Sequence, residues 1–375
     1  MSLHVREGEL EIIPFYYRYQ YQDPQQGEGR MLTRKQIENN ICWLLENGSA
    51  PTKYLTNLYL LGASPRSSEM MELWDAVNEH PSSREIFFKQ REDGSWCSGG
   101  AWAPKPSYMP KGGCTPVSPK YVTTSWVLAI LGEMGFDHGD KRVKKACEQN
   151  LTYQRPNGVL SESRGWPEDL GGDPDPRNVP CRMSIQLTGL SKVGMGRDPR
   201  LRRSLELLKR WQREDGGWVQ EGHKDGTSAP YKIWTRSCPW STYFATAALF
   251  HSGDPTDGEV LSRGIGFLLW HLDQKPENEI RRFFWHGHDT VRELLMFSET
   301  GVDPTHRSVQ VLLGWLEDMY NPTKAHFSYK GKPISKMSQR EDGATPRVMK
   351  YRTYHLIEDD WLTYYMTRIE SSFLS

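Results

Sequence analysis

The chain has 375 residues, with 47 Lys+Arg balancing 47 Asp+Glu for a formal net charge of zero. That balance excludes a global field that would draw nucleic acid or an anionic membrane surface, and no window approaches the eighteen or more consecutive apolar residues of a transmembrane helix. Six cysteines in a chain of this length do not make the disulfide framework of a small secreted domain, so the expected compartment is cytoplasmic and the cysteines are thiols, buried or metal-bound.

In chain order, residues 1–33 are polar and aromatic and read as an N-terminal extension packed on a helical domain spanning 34–375. No Pro/Gly/Ser-rich linker divides that domain, which favours a single repeat-built unit. The first apolar helix is predicted in TKYLTNLYLLG, ending at Gly62. It is followed by QREDGSW, Gln90 to Trp96, which reads as a helix exit. Gln and Arg close the last turn, Asp-Gly turns the chain with Gly at positive φ, and Trp packs back onto the neighbouring unit. The string recurs as QREDGGW, Gln212 to Trp218, and without its Trp as QREDG, Gln339 to Gly343.

A second repeat runs through the apolar segments. Leu131, Leu190 and Leu249 fall 59 residues apart, each followed four residues later by Gly135, Gly194 or Gly253, a helix C-cap in each case. The same pattern ends at Gly301 in HDTVRELLMFSETG, and a last helix is predicted from about Leu356 to Ile369. Between these six apolar helices lie amphipathic stretches such as Arg197 to Asp215 and Asp257 to Gln274. The alternation predicts an all-α fold, a single (α/α)6 toroid of about six helical-hairpin repeats with an apolar inner ring and an amphipathic outer ring. β-structure has little support outside the alternation of Leu10 to Tyr21. The segments Trp96 to Pro119 and Asn157 to Pro180 are polar, rich in Gly and Pro, and long for a compact domain, as expected of loops at a site mouth.

Tryptophan is unusually frequent, with 14 residues, although mean hydropathy is only −0.69. Rings concentrated around a cavity account for both facts. The candidate wall residues, on inner helices or just before them, are Trp126, Trp234, Trp240, Tyr243, Phe244, Trp285, Trp361 and Tyr364. Such faces stabilise a cation or clasp an apolar chain; the plainer alternative is that they fill space between helices.

QREDGSW and QREDGGW resemble the QW motif of the squalene and oxidosqualene cyclases, and the Gly-Gly-Trp form is similar to the repeats of protein prenyltransferase β subunits. With the helix alternation, the resemblance covers roughly Lys35 to the C-terminus. It implies an enzyme acting on an apolar, isoprenoid-like small molecule in the toroid cavity. It also places the chemistry where inner helices begin, since their free N–H groups and dipoles converge there.

Cyclases that protonate their substrate carry D-x-D-D-T-A at one such start, and this sequence has no D-x-D-D. The nearest stretch is HGHDTV, His286 to Val291, where Asp289 matches the Asp before Thr and His286 and His288 replace the upstream acids. IEDDW, Ile357 to Trp361, offers Asp360 as a second acid, with a dipole-stabilised helix start as its plainer reading. Neither Asp173 to Pro176 nor Asp359 with Asp360 supplies the DDxxD spacing that holds magnesium on a diphosphate. The prenyltransferase likeness implies zinc at the cavity mouth, and the matching candidates are Cys181, Cys238, His286 and His288, since thiolates and imidazoles suit tetrahedral zinc. Asp289 would then orient a histidine, although the family's Asp-x-Cys is absent from SCPWST, Ser237 to Thr242. Against this stands the ordinary burial of cysteine in cores. Two other functions stay open: a non-catalytic lipid- or isoprenoid-binding toroid, and an α/α-barrel carbohydrate-active enzyme using paired carboxylates.

Overall fold

The computed structural model describes residues 31–96, 123–160, 180–219, 237–281, 284–285, 288–329 and 358–374. Nearly all of the expected N-terminal extension and the third copy of the repeated string, Gln339 to Gly343, lie outside the described residues.

The chain forms α1 (Arg34–Asn47), α2 (Ala50–Leu55) continuing as a π-helical turn over Thr56–Leu60, α3 (Ser68–Glu79), α4 (Pro81–Phe88), α5 (Thr124–Glu133) and α6 (Lys141–Leu151). Then come α7 (Pro180–Leu190) with a kinked extension over Ser191–Met195, α8 (Pro199–Arg210), α9 (Pro239–Ser252), α10 (Gly258–Asp273) and α11 (Glu277–Ile280). The last three are α12 (Thr290–Glu299), α13 (Arg307–Glu317) and α14 (Asp359–Leu374). Helix starts follow local chemistry: Thr33 and Gln36 form a capping box on α1, Asp140 caps α6, and Asp198 followed by Pro199 starts α8.

The helices sort into two rings by burial. α8 buries one stripe, Leu201, Ser204, Leu205, Leu207 and Leu208, and leaves its arginines outside. In contrast, every residue of α9 from Trp240 to Leu249 is buried, and so is every residue of α7 from Met183 to Leu190. A helix buried all round has neighbours on both sides, which makes α2, α5, α7, α9, α12 and α14 the inner ring and α1, α3, α6, α8, α10 and α13 the outer one. α7 packs between α5 and α9, α9 touches α12, α12 packs on α14, and α14 on α1 and α2. Residues from all six inner helices or their extensions border one cavity. The fold is all-α, as the periodicity predicts.

The repeated strings clip the end of α4 to α6 and the end of α8 to α10. Gln90 Nε2 donates to the carbonyls of Gly94 and Arg142, both at 2.9 Å, and Gln212 Nε2 donates to those of Gly216 and Val260 at the same distance. Each glycine then lies against the backbone carbonyl three residues further along the next outer helix. A Cβ on Gly94 would sit 2.6 Å from the Lys145 oxygen, and one on Gly216 2.4 Å from that of Arg263. The tryptophan indoles close the same turns, Trp96 Nε1 donating to Ile86 O at 2.7 Å and Trp218 Nε1 to Leu208 O at 2.8 Å. A third clip went unread in the sequence. Gln154, in QRPNGVL, donates to Arg200 O at 2.7 Å, and a Cβ on Gly158 would meet Arg203.

Two short hairpins depart from expectation: β1 (Phe284–Trp285) pairs antiparallel with β2 (His288–Asp289), and β3 (Tyr320–Asn321) with β4 (His326–Phe327). The first corrects the reading of HGHD as the opening of an inner helix. Two residues separate the strands, the commonest hairpin link, and α12 begins only at Thr290. Among the described residues, no helix is long and apolar enough to cross a membrane.

Candidate functional site

The last turns of four inner helices share a register. Gly135, Gly194, Gly253 and Gly301 all turn the chain at positive φ, between +67° and +93°. Two residues before them stand Glu133, Lys192, His251 and Glu299. All four border the central cavity of about 250 Å³, together with Arg292 from α12 and Arg368 from α14. The repeat thus stacks ionisable side chains into one layer at the end of the toroid where the inner helices finish.

These groups are buried or half-buried, and most are joined. Arg292 Nε donates to Glu133 Oε1 at 2.8 Å, its Nη2 bonds the second oxygen, and Lys192 Nζ bonds Oε1 from the other side. The three side chains are only 6 %, 9 % and 11 % exposed for Arg292, Glu133 and Lys192. Across the cavity, Arg368 Nε lies 2.5 Å from Glu299 Oε1, its Nη1 donates to Tyr364 Oη at 3.1 Å, and its guanidinium sits 4.2 Å above the Tyr59 ring. Glu133 is thus the shared ion-pair partner of two cations.

The cations of the layer act on its histidine. Burial, and then Lys192, push the His251 imidazole well below the usual histidine range, with Arg368 and Arg292 adding to the effect and Glu133 opposing it. Burial disfavours the Arg368 guanidinium, yet it is held above its ordinary value, with the Tyr364 hydroxyl and the Glu299 carboxylate as its partners. Burial also raises the Tyr364 phenol, which stays protonated.

Next to the charged layer lies an aromatic wall. Phe244 receives Trp126, Trp240 and Tyr243 in edge-to-face contacts with centroids 5.4, 5.1 and 5.1 Å away. Trp126, Tyr243 and Phe244 line a hollow of about 20 Å³ that shares Glu133, Lys192 and Arg292 with the main cavity. Tyr364 borders the cavity directly, beside Tyr365, and Trp361 packs behind both at 6.3 and 6.2 Å. Trp240 likewise backs Phe244 without bordering either space. Trp234 lies outside the described residues, and Trp285 is described only as part of β1.

The other candidates stand at the opposite end. Asp360 opens α14, where its Oδ2 accepts from Ser49 N and Thr52 Oγ1, both at 2.9 Å, and its Oδ1 accepts from Trp361 N at 2.9 Å. It caps the start of α2, whose own N-cap residue Ser49 makes no side-chain cap. Cys181 is buried in the first turn of α7, and Cys238 is the N-cap of α9 with its thiol pushed up by burial. Cys238 and His251 mark the two ends of α9, so about 20 Å separates the cysteine end from the charged layer. His288 and Asp289 are described only as the backbone of β2, and His286 lies outside the described residues. Among the described residues, no three His, Cys, Asp or Glu gather as a metal-holding group. The structure therefore brings together a set that sequence reasoning had not singled out: Glu133, Lys192, His251, Arg292, Glu299, Arg368 and Tyr365. The signal that finds four of them is the register of the glycine-capped repeat.

No protein-family model matches the chain. A probable squalene–hopene cyclase of Sinorhizobium fredii is 28 % identical over 131 residues, covering 34 % of this chain and 20 % of the relative. The match thus spans about a fifth of that cyclase's length. Among solved structures, the type II terpene cyclase MstE from Scytonema aligns over 91 % of this chain and 97 % of its own at 16 % identity, with a TM-score of 0.37. A protein from Actinoplanes aligns over 91 % and 98 % at 13 % identity and a TM-score of 0.39. Superpositions this loose carry no argument about the site. The chain is thus similar over about a third of its length to a squalene–hopene cyclase, and its described inner helices ring one cavity.

Proposed function

We propose that the protein is an isoprenoid-processing enzyme of the terpenoid cyclase-like type, with its substrate held in the central cavity. The observation that carries this reading is a single cavity bordered by all six inner helices, with the Trp126–Tyr243–Phe244 wall on one side. Such a wall excludes water from an apolar chain and offers π-faces to a developing cation. Asp289, at the end of β2 where α12 begins, is the acid proposed to act with His286 and His288. Asp360, which accepts three hydrogen bonds, acts through the position of α2.

Zinc held by Cys181, Cys238, His286 and His288 is the accompanying proposal; the two cysteines stand at the starts of the adjacent inner helices α7 and α9. There it would act as a Lewis acid or activate a thiol. Two experiments test these readings. Purified protein is incubated with linear prenyl substrates of increasing length, and products are read by gas chromatography and mass spectrometry. Conversion abolished by Asp289→Asn in a folded variant supports the enzyme, whereas tight binding of the chains without turnover assigns the toroid to a non-catalytic binder. Metal analysis of protein prepared without chelator, with Cys238→Ala beside it, decides zinc: stoichiometric metal lost in the variant supports the site, and metal-free protein removes it.

A further inference from the structure

We propose that the central cavity is entered at the end where the inner helices finish, through a gate made by Tyr59 on the π-helical turn after α2 and held shut by Arg368 of α14. The gate governs access and not the identity of what enters, so it stands apart from the isoprenoid reading.

Tyr59 has one side on the cavity and the other in water: it borders the space and is 43 % exposed. The Arg368 guanidinium lies 4.2 Å above its ring. Two further groups hold that guanidinium, Glu299 Oε1 of α12 at 2.5 Å from Nε and Tyr364 Oη accepting from Nη1 at 3.1 Å. One side chain of α14 thus reaches the ends of α2 and α12 at once. Both side chains of the Arg368–Glu299 pair are 21 % exposed, which puts them where the cavity meets solvent.

The two ends that Arg368 joins are the ones tied down least. Beyond α5, His138 N and Nδ1 lie 2.9 and 3.0 Å from Val193 O, and beyond α7 Arg197 Nη2 donates to Gly253 O at 2.8 Å. The ends of α5, α7 and α9 are therefore clipped in series. Among the described residues, no hydrogen bond ties Leu61 and Gly62, or Thr300 and Gly301, to a neighbouring turn. A Cβ on Gly62 or Gly301 would meet nothing within 4 Å.

The backbone under Tyr59 also departs from the α-helical register. Leu61 N donates to Thr56 O, five residues back, at 3.1 Å. This wide turn leaves Thr56 Oγ1 buried with no hydrogen-bond partner, a cost the closed form carries. A return to four-residue bonding rotates Tyr59 about the helix axis, and Gly62, at φ +66° in open space, absorbs the difference. The turn therefore has a second arrangement within reach, and the Arg368 contact to Tyr59 selects between the two.

The test is thiol labelling of the full chain by N-ethylmaleimide under native conditions, with modified peptides read by mass spectrometry. Met296→Cys puts a thiol on the cavity wall, where the native side chain is 2 % exposed. Cys147, 1 % exposed in α6 and with its thiol pushed up to about 12 by burial, is the native reference for loosening of the whole fold. Labelling of a closed site follows the population of its open form. Tyr59→Ala in the Met296→Cys background should therefore label position 296 about tenfold or more faster than the parent. Arg368→Gln should do so about threefold or more, the effect of one cation–π contact, whereas Tyr59→Phe keeps the ring and should match the parent. Cys147 should stay equally slow in all of them, and Leu295→Cys on the same wall replaces Met296→Cys if that variant does not fold. Equal rates in the parent and Tyr59→Ala, or no labelling in either, place the entrance elsewhere and overturn the gate. Parent labelling as fast as that of the exposed Cys42 shows a mouth already open and overturns it too. A Cys147 rate that rises in step with position 296 makes Arg368 a tie of the whole fold and overturns the gate, and none of these outcomes touches the isoprenoid reading.

Discussion

The two ends of the inner ring use polar residues in opposite ways. Where helices begin, polar side chains serve the backbone: Asp360 satisfies N–H groups of α2 and of its own helix, and Asp215 accepts from Ser237 N and Ser237 Oγ at the entry to α9. Where helices end, the side chains serve one another across a cavity. A carboxylate there faces the negative end of its own helix dipole, so Glu133 and Glu299 depend on cations from other helices, Lys192, Arg292 and Arg368. The starts can thus be understood helix by helix, whereas the ends make sense only as a ring.

This contrast can be broken experimentally, beginning where it predicts the largest effect. Arg292→Met leaves Glu133 buried beside one cation only, and a loss of about 3–5 kcal/mol is expected from urea unfolding. A loss below about 1 kcal/mol would show that the layer is solvated like a surface ion pair. Next comes pH. The folded state holds His251 neutral while the unfolded chain takes up a proton below the ordinary value of 6.5. Stability is therefore complete above that value and falls as pH drops through it, by up to about 1.4 kcal/mol per pH unit for one proton. His251→Phe should flatten that slope in denaturant titrations between pH 7 and pH 5; an unchanged slope would place His251 in water.

At the other end the effects are smaller. Asp360→Ala removes a cap shared by two helices and should cost about 0.5–2 kcal/mol, with Asp360→Asn recovering part of it; a folded Asp360→Ala protein that loses turnover without losing stability would return Asp360 to the chemistry. Smallest of all, Gln154→Ala removes an exposed clip and should cost about 1 kcal/mol or less in the same assay. A similar loss for Gln212→Ala would make the two clips equivalent despite the absence of a tryptophan after Gln154.

Much of the fold was legible because it rests on local chemistry repeated along the chain. The glycines that end the inner helices, the Asp-Gly turns at Gly94 and Gly216, and the apolar alternation each need only neighbours in sequence. Gln154 escaped notice because Pro156 and Asn157 stand where the other copies have Glu and Asp, and Val159 follows the glycine directly, yet the Gln and Gly that make the contacts are unchanged. The hairpin at Phe284 to Asp289 escaped because strands of two residues are too short for alternation to register.

The site was less legible. Helix starts drew attention because acids and cysteines cluster there in family motifs, and the structure finds Asp360 capping and Cys238 buried. The sequence by itself determined that the chain is helical, repeats with a period near 59 residues, and carries the same glycine at the end of successive inner helices. Only the tertiary structure decided that Glu133, Lys192, His251, Arg292, Glu299 and Arg368 meet. They belong to five different helices or helix extensions and lie up to 235 residues apart, and no local spacing links them. What joins them is closure of the ring, which turns one register position of four repeats toward a common centre and brings Arg292 and Arg368 to it from other positions of α12 and α14, where low polarity makes every charge require a partner.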